Sequence, residues 1–219
     1  YHGVSAAQDN LPPNPVLILS QARAWYREKR RQTVVTAFDL PAWWKAVMAE
    51  PDYSRDFLLT ALFTGMRRSE VMALRWENVD LKAKTLHLPS PKNGDPLTLP
   101  LSDFLAQLLT KRAESADGSP WVFPGPGKSG HLVETKKFLQ RVAAGAEVSF
   151  TLHDLRRTFI TIAESLDVPY YALKRLLNHR TSGDVTGGYI VVNAERLREP
   201  VELVARRIRE LKEPKGEEG

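Results

Sequence analysis

Four short stretches hold side chains whose types and spacing could do chemistry on an anion. In "TLHDLRRTF", Thr151 can cap a helix with Asp154 three residues on. His153 and Arg156 then stand at i and i+3 on one helical face, with Arg157 pointing elsewhere. A histidine and an arginine converging from a first helical turn form a phosphate or oxyanion site, aided by the positive end of the helix dipole. In "FTGMRRSEVMALRW", Arg67 follows the Thr64–Gly65 break at a helix start. Glu70 lies three residues on, within reach of the Arg67 guanidinium, while Arg68 faces away. Lys92 occupies the turn "SPKNGDP", from which a long cation can reach outward. Tyr189 stands behind Gly187 and Gly188 in "LLNHRTSGDVTGGYI", an odd lead-in for a core aromatic. Taken singly, each has a plainer reading: a surface helix, a structural ion pair, a solvated turn lysine and a packed tyrosine.

The elements that must position these residues follow from pattern. "LPPNPV" (Leu11 to Val16) reads as an extended linker, and a helical stretch with a basic cluster at Lys29 to Arg31 follows it. "TAFDLPAWWKAVMAE" predicts a capped helix with Pro41 near its start, Trp43 and Trp44 serving as packing residues. "YSRDFLLTALFTG" predicts a buried helix closed by Gly65. "KTLHL" and "LTLPLS" alternate around a turn and predict a β-hairpin with Lys92 at its tip. Helices are expected again in "SDFLAQLLTKRAES", "VETKKFLQRVAAGA", "LHDLRRTFITIAESL" and "PYYALKRLLNH", where Tyr170 and Tyr171 suit packing. The last, "AERLREPVELVARRIRELK", is expected to be helical with a proline break. The balance is mainly α around one small antiparallel sheet.

Composition narrows the partners. The chain has 219 residues, enough for one large domain or one domain with an extension. It has no cysteine, so disulfides, iron–sulfur clusters and thiolate metal sites are excluded. No apolar run is long enough for a membrane span, and the expected location is the cytoplasm. The chain opens on Tyr1, which suggests a piece of a longer protein. Formal net charge is +5. From Glu195 onward seven basic side chains face seven acidic ones, so the excess lies in the body before it. A basic body suits a polyanion such as nucleic acid.

Read together, the motifs "TGMRRSEVMALRWENVD", "KNGDPLTLPL", "HDLRRTF" and "LLNHRTSGDVTGGYI" resemble the catalytic domain of the tyrosine recombinases, the phage-integrase family, over about Thr36 to Val191. The resemblance implies a mainly α fold with a three-stranded antiparallel sheet beside the active site. It implies a catalytic set of Arg67, Lys92, His153, Arg156, His179 and the nucleophile Tyr189, with Glu70 in support. In three respects the chain departs from the family pattern. Asn178 replaces the usual glycine before the histidine, the His179–Tyr189 interval is one residue longer than the commonest spacing, and Arg157 takes a position often held by histidine.

The resemblance also implies an organisation and an activity. Residues 1–35 would be a linker and the end of a preceding core-binding region, 36–194 the catalytic domain, and 195–219 a C-terminal helix and tail able to dock on a neighbouring protomer. The implied function is a site-specific DNA recombinase, an integrase of a phage or other mobile element, working through a 3′-phosphotyrosine. It would act on double-stranded attachment sites as a homotetramer, remain mainly a monomer as an isolated fragment, and draw on accessory DNA-bending proteins. No cofactor and no metal are expected, because two arginines can neutralise the phosphate. A related DNA topoisomerase, and a DNA-binding regulator without turnover, are the alternative readings.

Overall fold

The computed structural model describes residues 33–89, 96–178 and 194–213, together with Leu17. Lys92, His179 and Tyr189 lie outside the described residues. The chain divides after Gln32 into two compact units, and the architecture below is that of the second.

Helix α1 (Leu40–Met48) carries proline in its first turn, where a missing N–H breaks no helical bond. The expected side-chain cap is absent: Asp39 instead accepts the Thr36 hydroxyl at 2.7 Å. Trp43 is fully buried and meets Phe150 edge-on at 5.8 Å, as a packing residue should. Helix α2 (Asp52–Thr64) is the core of the unit, with Phe57, Leu58, Leu59 and Leu62 all sealed from solvent. Because it is buried nearly all round, its polar groups find partners inside. Thr60 donates to the Asp56 carbonyl at 2.7 Å, and the Asp56 carboxylate meets Arg55 and Arg112. Gly65 ends α2 in the left-handed conformation, φ 58°, and turns the chain into the short helix α3 (Arg68–Met72).

A 3-10 turn (Trp76–Asn78) leads into β1 (Val79–Asp80), β2 (Thr85–Leu88) and β3 (Leu97–Pro100). The order is β1-β2-β3 and both pairings are antiparallel, with Leu86 opposite Leu99 in the buried row. Leu86 and Leu88 point inward and His87 outward, the alternation that the period-two pattern requires. Helix α4 (Asp103–Glu114) starts at Ser102, whose hydroxyl accepts the Leu105 N–H. Helix α5 (Lys136–Ala146) lies along α1, close enough that Gly145 faces the Ala46 methyl.

Helix α6 (Leu152–Ser165) opens with the expected box: Asp154 N–H donates to Thr151 Oγ1, and Thr151 N–H donates to Asp154 Oδ2 at 2.9 Å. Its inner face (Leu155, Phe159, Ile162, Ala163) packs on α2. Helix α7 (Tyr170–Leu176) is short. Tyr171 is half-buried against the core, but Tyr170 is 71% exposed with Lys174 over its ring, so the packing expected of Tyr170 is corrected. After a 3-10 turn (Ala194–Leu197) comes α8 (Arg198–Leu211). The proline break expected there is also corrected. Pro200 falls in the first turn, where an N–H has no helical acceptor to lose. The apolar stripe Val201, Val204, Ala205 and Ile208 is buried within this chain, against α6.

Candidate active site

The site begins at the left-handed turn that ends α2. Reversing at Gly65 brings Arg67 to the N-cap of α3, with an extended backbone. Glu70 then folds back on it with both oxygens. Oε2 accepts the Arg67 backbone N–H at 2.8 Å and Oε1 accepts the guanidinium Nη1 at 3.0 Å. Both side chains are largely shielded from water, so the ion pair fixes the guanidinium more firmly than a surface pair would. Arg68, on the wall of the cleft that Arg67 also lines, points away from the Arg67–Glu70 pair and donates to the Val133 carbonyl at 3.2 Å.

The second arginine comes from the second turn of α6. Arg156 is buried, 5% exposed, and donates Nη1 to the Gly65 carbonyl and Nη2 to the Leu177 carbonyl at 2.7 Å. Arg67 donates Nη2 to the carbonyl of the next residue, Asn178, at 3.3 Å. Two guanidiniums are therefore held by successive carbonyls of one turn. Burial lowers the Arg156 pKa to about 10, with the charge of Arg67 adding to the effect and Glu70 opposing it. It remains a cation at neutral pH. His153, one turn before Arg156, is exposed. Desolvation first, then Arg157 and Arg156, lower its pKa against the pull of Asp154, so the imidazole is neutral at physiological pH.

Arg67, His153 and Arg156 all line one cleft of about 1030 Å³. Its walls are the start of α3, the segment running into α6, and the face of α5 that carries Lys136 and Gln140. Among its described lining residues, four cations (Arg67, Arg68, Lys136, Arg156) stand against one carboxylate, Glu134. Guanidiniums are planar forks suited to phosphate oxygens, and here they lie in a walled groove that shields them less than bulk water does. No group of three metal-ligating side chains occurs among the described residues. No helix there is long and apolar enough to cross a membrane.

The structure thus brings together Arg67, Glu70, His153 and Arg156. Lys92, His179 and Tyr189 lie outside the described residues, though described chain reaches Asn178, next to His179. Sequence reasoning missed the carbonyl anchors at Gly65, Leu177 and Asn178, and the Lys136–Gln140 wall. Backbone anchors leave no mark on residue type. Only Asn178 carried a signal, since an asparagine just past a helix end is a common left-handed residue.

A cationic groove built on a helical frame with one small sheet agrees with what comparison finds. The chain belongs to the phage integrase family, whose model matches residues 34–196. It is 32% identical over 149 residues to the prophage integrase IntF of Escherichia coli K12, covering 65% of this chain and 32% of that protein. It is 28% identical over 158 residues to the tyrosine recombinase XerA of Pyrococcus furiosus, covering 69% of this chain and 55% of that one. The chain therefore spans only about a third of IntF and about half of XerA. The fold is that of the integrase from mycobacterium phage Brujita (TM-score 0.63, 23% identity, 90% of this chain and 73% of that one). It is also that of a lambda integrase dimer bound to a COC′ core site (TM-score 0.58, 18% identity, 92% and 53%).

Proposed function

We propose that this chain is the catalytic part of a site-specific DNA recombinase, an integrase of a phage or other mobile element. It cuts and rejoins strands through a 3′-phosphotyrosine, on DNA in the bacterial cytoplasm. The observation that carries the reading is the pair Arg67 and Arg156: two anchored guanidiniums that line one cationic cleft with His153.

In this mechanism the scissile phosphodiester lies across the two guanidiniums, which neutralise its non-bridging oxygens and stabilise the charge that develops on them. Tyr189 gives its phenolic proton to solvent water, a loss that the two nearby arginine cations favour, and its oxygen bonds to phosphorus. The bond from phosphorus to the 5′ oxygen breaks, and that oxygen takes a proton from Lys92. His153 and His179 hydrogen-bond the phosphate and assist proton movement. The ester conserves the bond energy, so a 5′ hydroxyl from another strand can attack it and restore the diester without ATP. Residues 36–194 are the catalytic domain of this reading. The working assembly is a homotetramer on double-stranded attachment sites, assisted by DNA-bending proteins.

The test is covalent capture on a nicked suicide substrate. Tyr189→Phe in the full-length protein should abolish the adduct and leave DNA binding intact, whereas Tyr170→Phe and Tyr171→Phe should still form it. An adduct that survives Tyr189→Phe sinks the assignment. Capture should also persist in excess EDTA. Strand exchange between two duplexes, as opposed to relaxation alone, distinguishes a recombinase from a topoisomerase.

A further inference from the structure

Helix α7 ends in a turn whose geometry does more than reverse the chain. Asn178 adopts φ 51°, the left-handed region that most side chains avoid. Its N–H donates to the Arg175 carbonyl at 3.0 Å, closing the helix. The Leu177 carbonyl, still in helical conformation, accepts Arg156 Nη2 at 2.7 Å, and the left-handed residue that follows directs its own carbonyl to Arg67 Nη2 at 3.3 Å. The Asn178 torsion thus sets one of the contacts that aim Arg67, beside the carbonyl that holds Arg156. The side chain does none of this: the Asn178 amide nitrogen is buried and has no hydrogen-bond partner among the described residues. A buried donor left unpaired is a cost, so what the residue contributes is its tolerance of positive φ.

We propose that Asn178 is a positioning residue for the cleavage reaction and that it acts through its backbone. The left-handed turn, and not the amide, keeps the Asn178 carbonyl on Arg67 and so helps set that guanidinium on the phosphate. The inference rests on the recombinase reading given above. It implies an order of tolerance that inverts chemical similarity: glycine, which lacks the amide altogether, substitutes well, and alanine, which is nearer in size, does not.

The test compares Asn178→Gly and Asn178→Ala in the full-length protein. Covalent capture on nicked DNA is measured at saturating substrate, with DNA affinity and thermal midpoint measured alongside. Asn178→Gly should cleave within about twofold of the natural protein, since glycine enters the left-handed region freely. Asn178→Ala should be slower by about tenfold at unchanged DNA affinity, the factor that the strain of one left-handed alanine corresponds to. The alanine deficit should shrink when one non-bridging oxygen of the scissile phosphate is replaced by methyl, because a misaimed guanidinium then has less to lose. A deficit equal on both substrates would mean loss of stability alone and would overturn the proposal. Loss of cleavage in Asn178→Gly would overturn it as well, by assigning the role to the amide; this arm decides the matter even if the alanine variant does not fold. The guanidinium nitrogen resonances of Arg67 and Arg156, read without DNA, should coincide in the natural and glycine proteins. A shift in the glycine protein counts against the proposal. Failure of the natural protein to form any adduct rejects the recombinase reading, and these resonances still judge the turn.

Discussion

Thr33 donates its hydroxyl to Asp154 at 2.7 Å, joining residues 121 apart in sequence. Two residues on, the Val35 N–H donates to Thr158 Oγ1 at 2.9 Å. The first stretch of the unit is therefore stitched along the helix that carries His153 and Arg156. Asp154 is buried, and burial alone would raise its pKa. Hydrogen bonds from Thr33 and Thr151, with the charge of Arg157, outweigh that and hold it below the ordinary carboxylate value.

Asp154→Asn should therefore lower stability by about 1–2 kcal/mol, the usual cost of a lost cap and a charge-assisted hydrogen bond. A carboxyl with a depressed folded pKa contributes stability that is present above its unfolded value, and that stability is lost as pH falls through the folded one. The gap between the natural protein and the variant should accordingly be full at neutral pH and close in acid. Denaturant melts at a series of pH values check this, and a gap that widened in acid would contradict it.

Glu70→Ala should slow cleavage at saturating DNA by about tenfold or more, as loss of a group that orients a catalytic cation does. Arg67 would keep the Asn178 carbonyl but lose the carboxylate that grips its Nη1. Affinity for DNA should hold or rise, since a negative charge has been removed beside the cleft. Single-turnover rates and a binding isotherm separate the two effects.

Gly65→Ala should cost about 2–4 kcal/mol, from left-handed strain together with overpacking. An added methyl at this residue, φ +58°, would sit 2.7 Å from the Phe159 ring. The same turn supplies a carbonyl to Arg156, so the variant should lose cleavage even at temperatures where it is folded. Thermal melts and capture assays on the same preparation measure both.

The His153 imidazole should titrate below the ordinary value of about 6.5 in the free protein, by desolvation and by the nearby arginines. The unfolded chain binds this proton more readily than the folded one, so stability from this group falls as pH drops through the unfolded value, then levels below the folded one. Bound DNA should reverse the shift, because a phosphate beside the ring favours imidazolium. A proton NMR titration of His153 with and without duplex tests both directions.

Much of this molecule was legible in its sequence for identifiable reasons. The hairpin, the Gly65 stop and the Thr151–Asp154 box follow from local rules that the structure obeys. The Arg67–Glu70 grip was readable because it spans three residues. The arginine–carbonyl anchors were not, because a carbonyl belongs to every residue and its aim depends on tertiary placement. Pro200 was misread as a break because the helix start was set too early: Ala194–Leu197 is a 3-10 turn, which moves the proline into the first α turn. Tyr170 was misread because its position in α7, though apolar by type, faces water.

The carbonyl anchors on Arg67 and Arg156 also bear on the entropy of DNA recognition. A free arginine side chain holds about 2 kcal/mol of rotamer freedom, which a ligand must ordinarily remove when it orders the group. Here the Gly65, Leu177 and Asn178 carbonyls order both guanidiniums before any phosphate arrives. That disorder is lost on folding and not on binding. The phosphate meets a receptor already shaped for it, and DNA binding at this point draws its entropy change from released counterions and water more than from the protein.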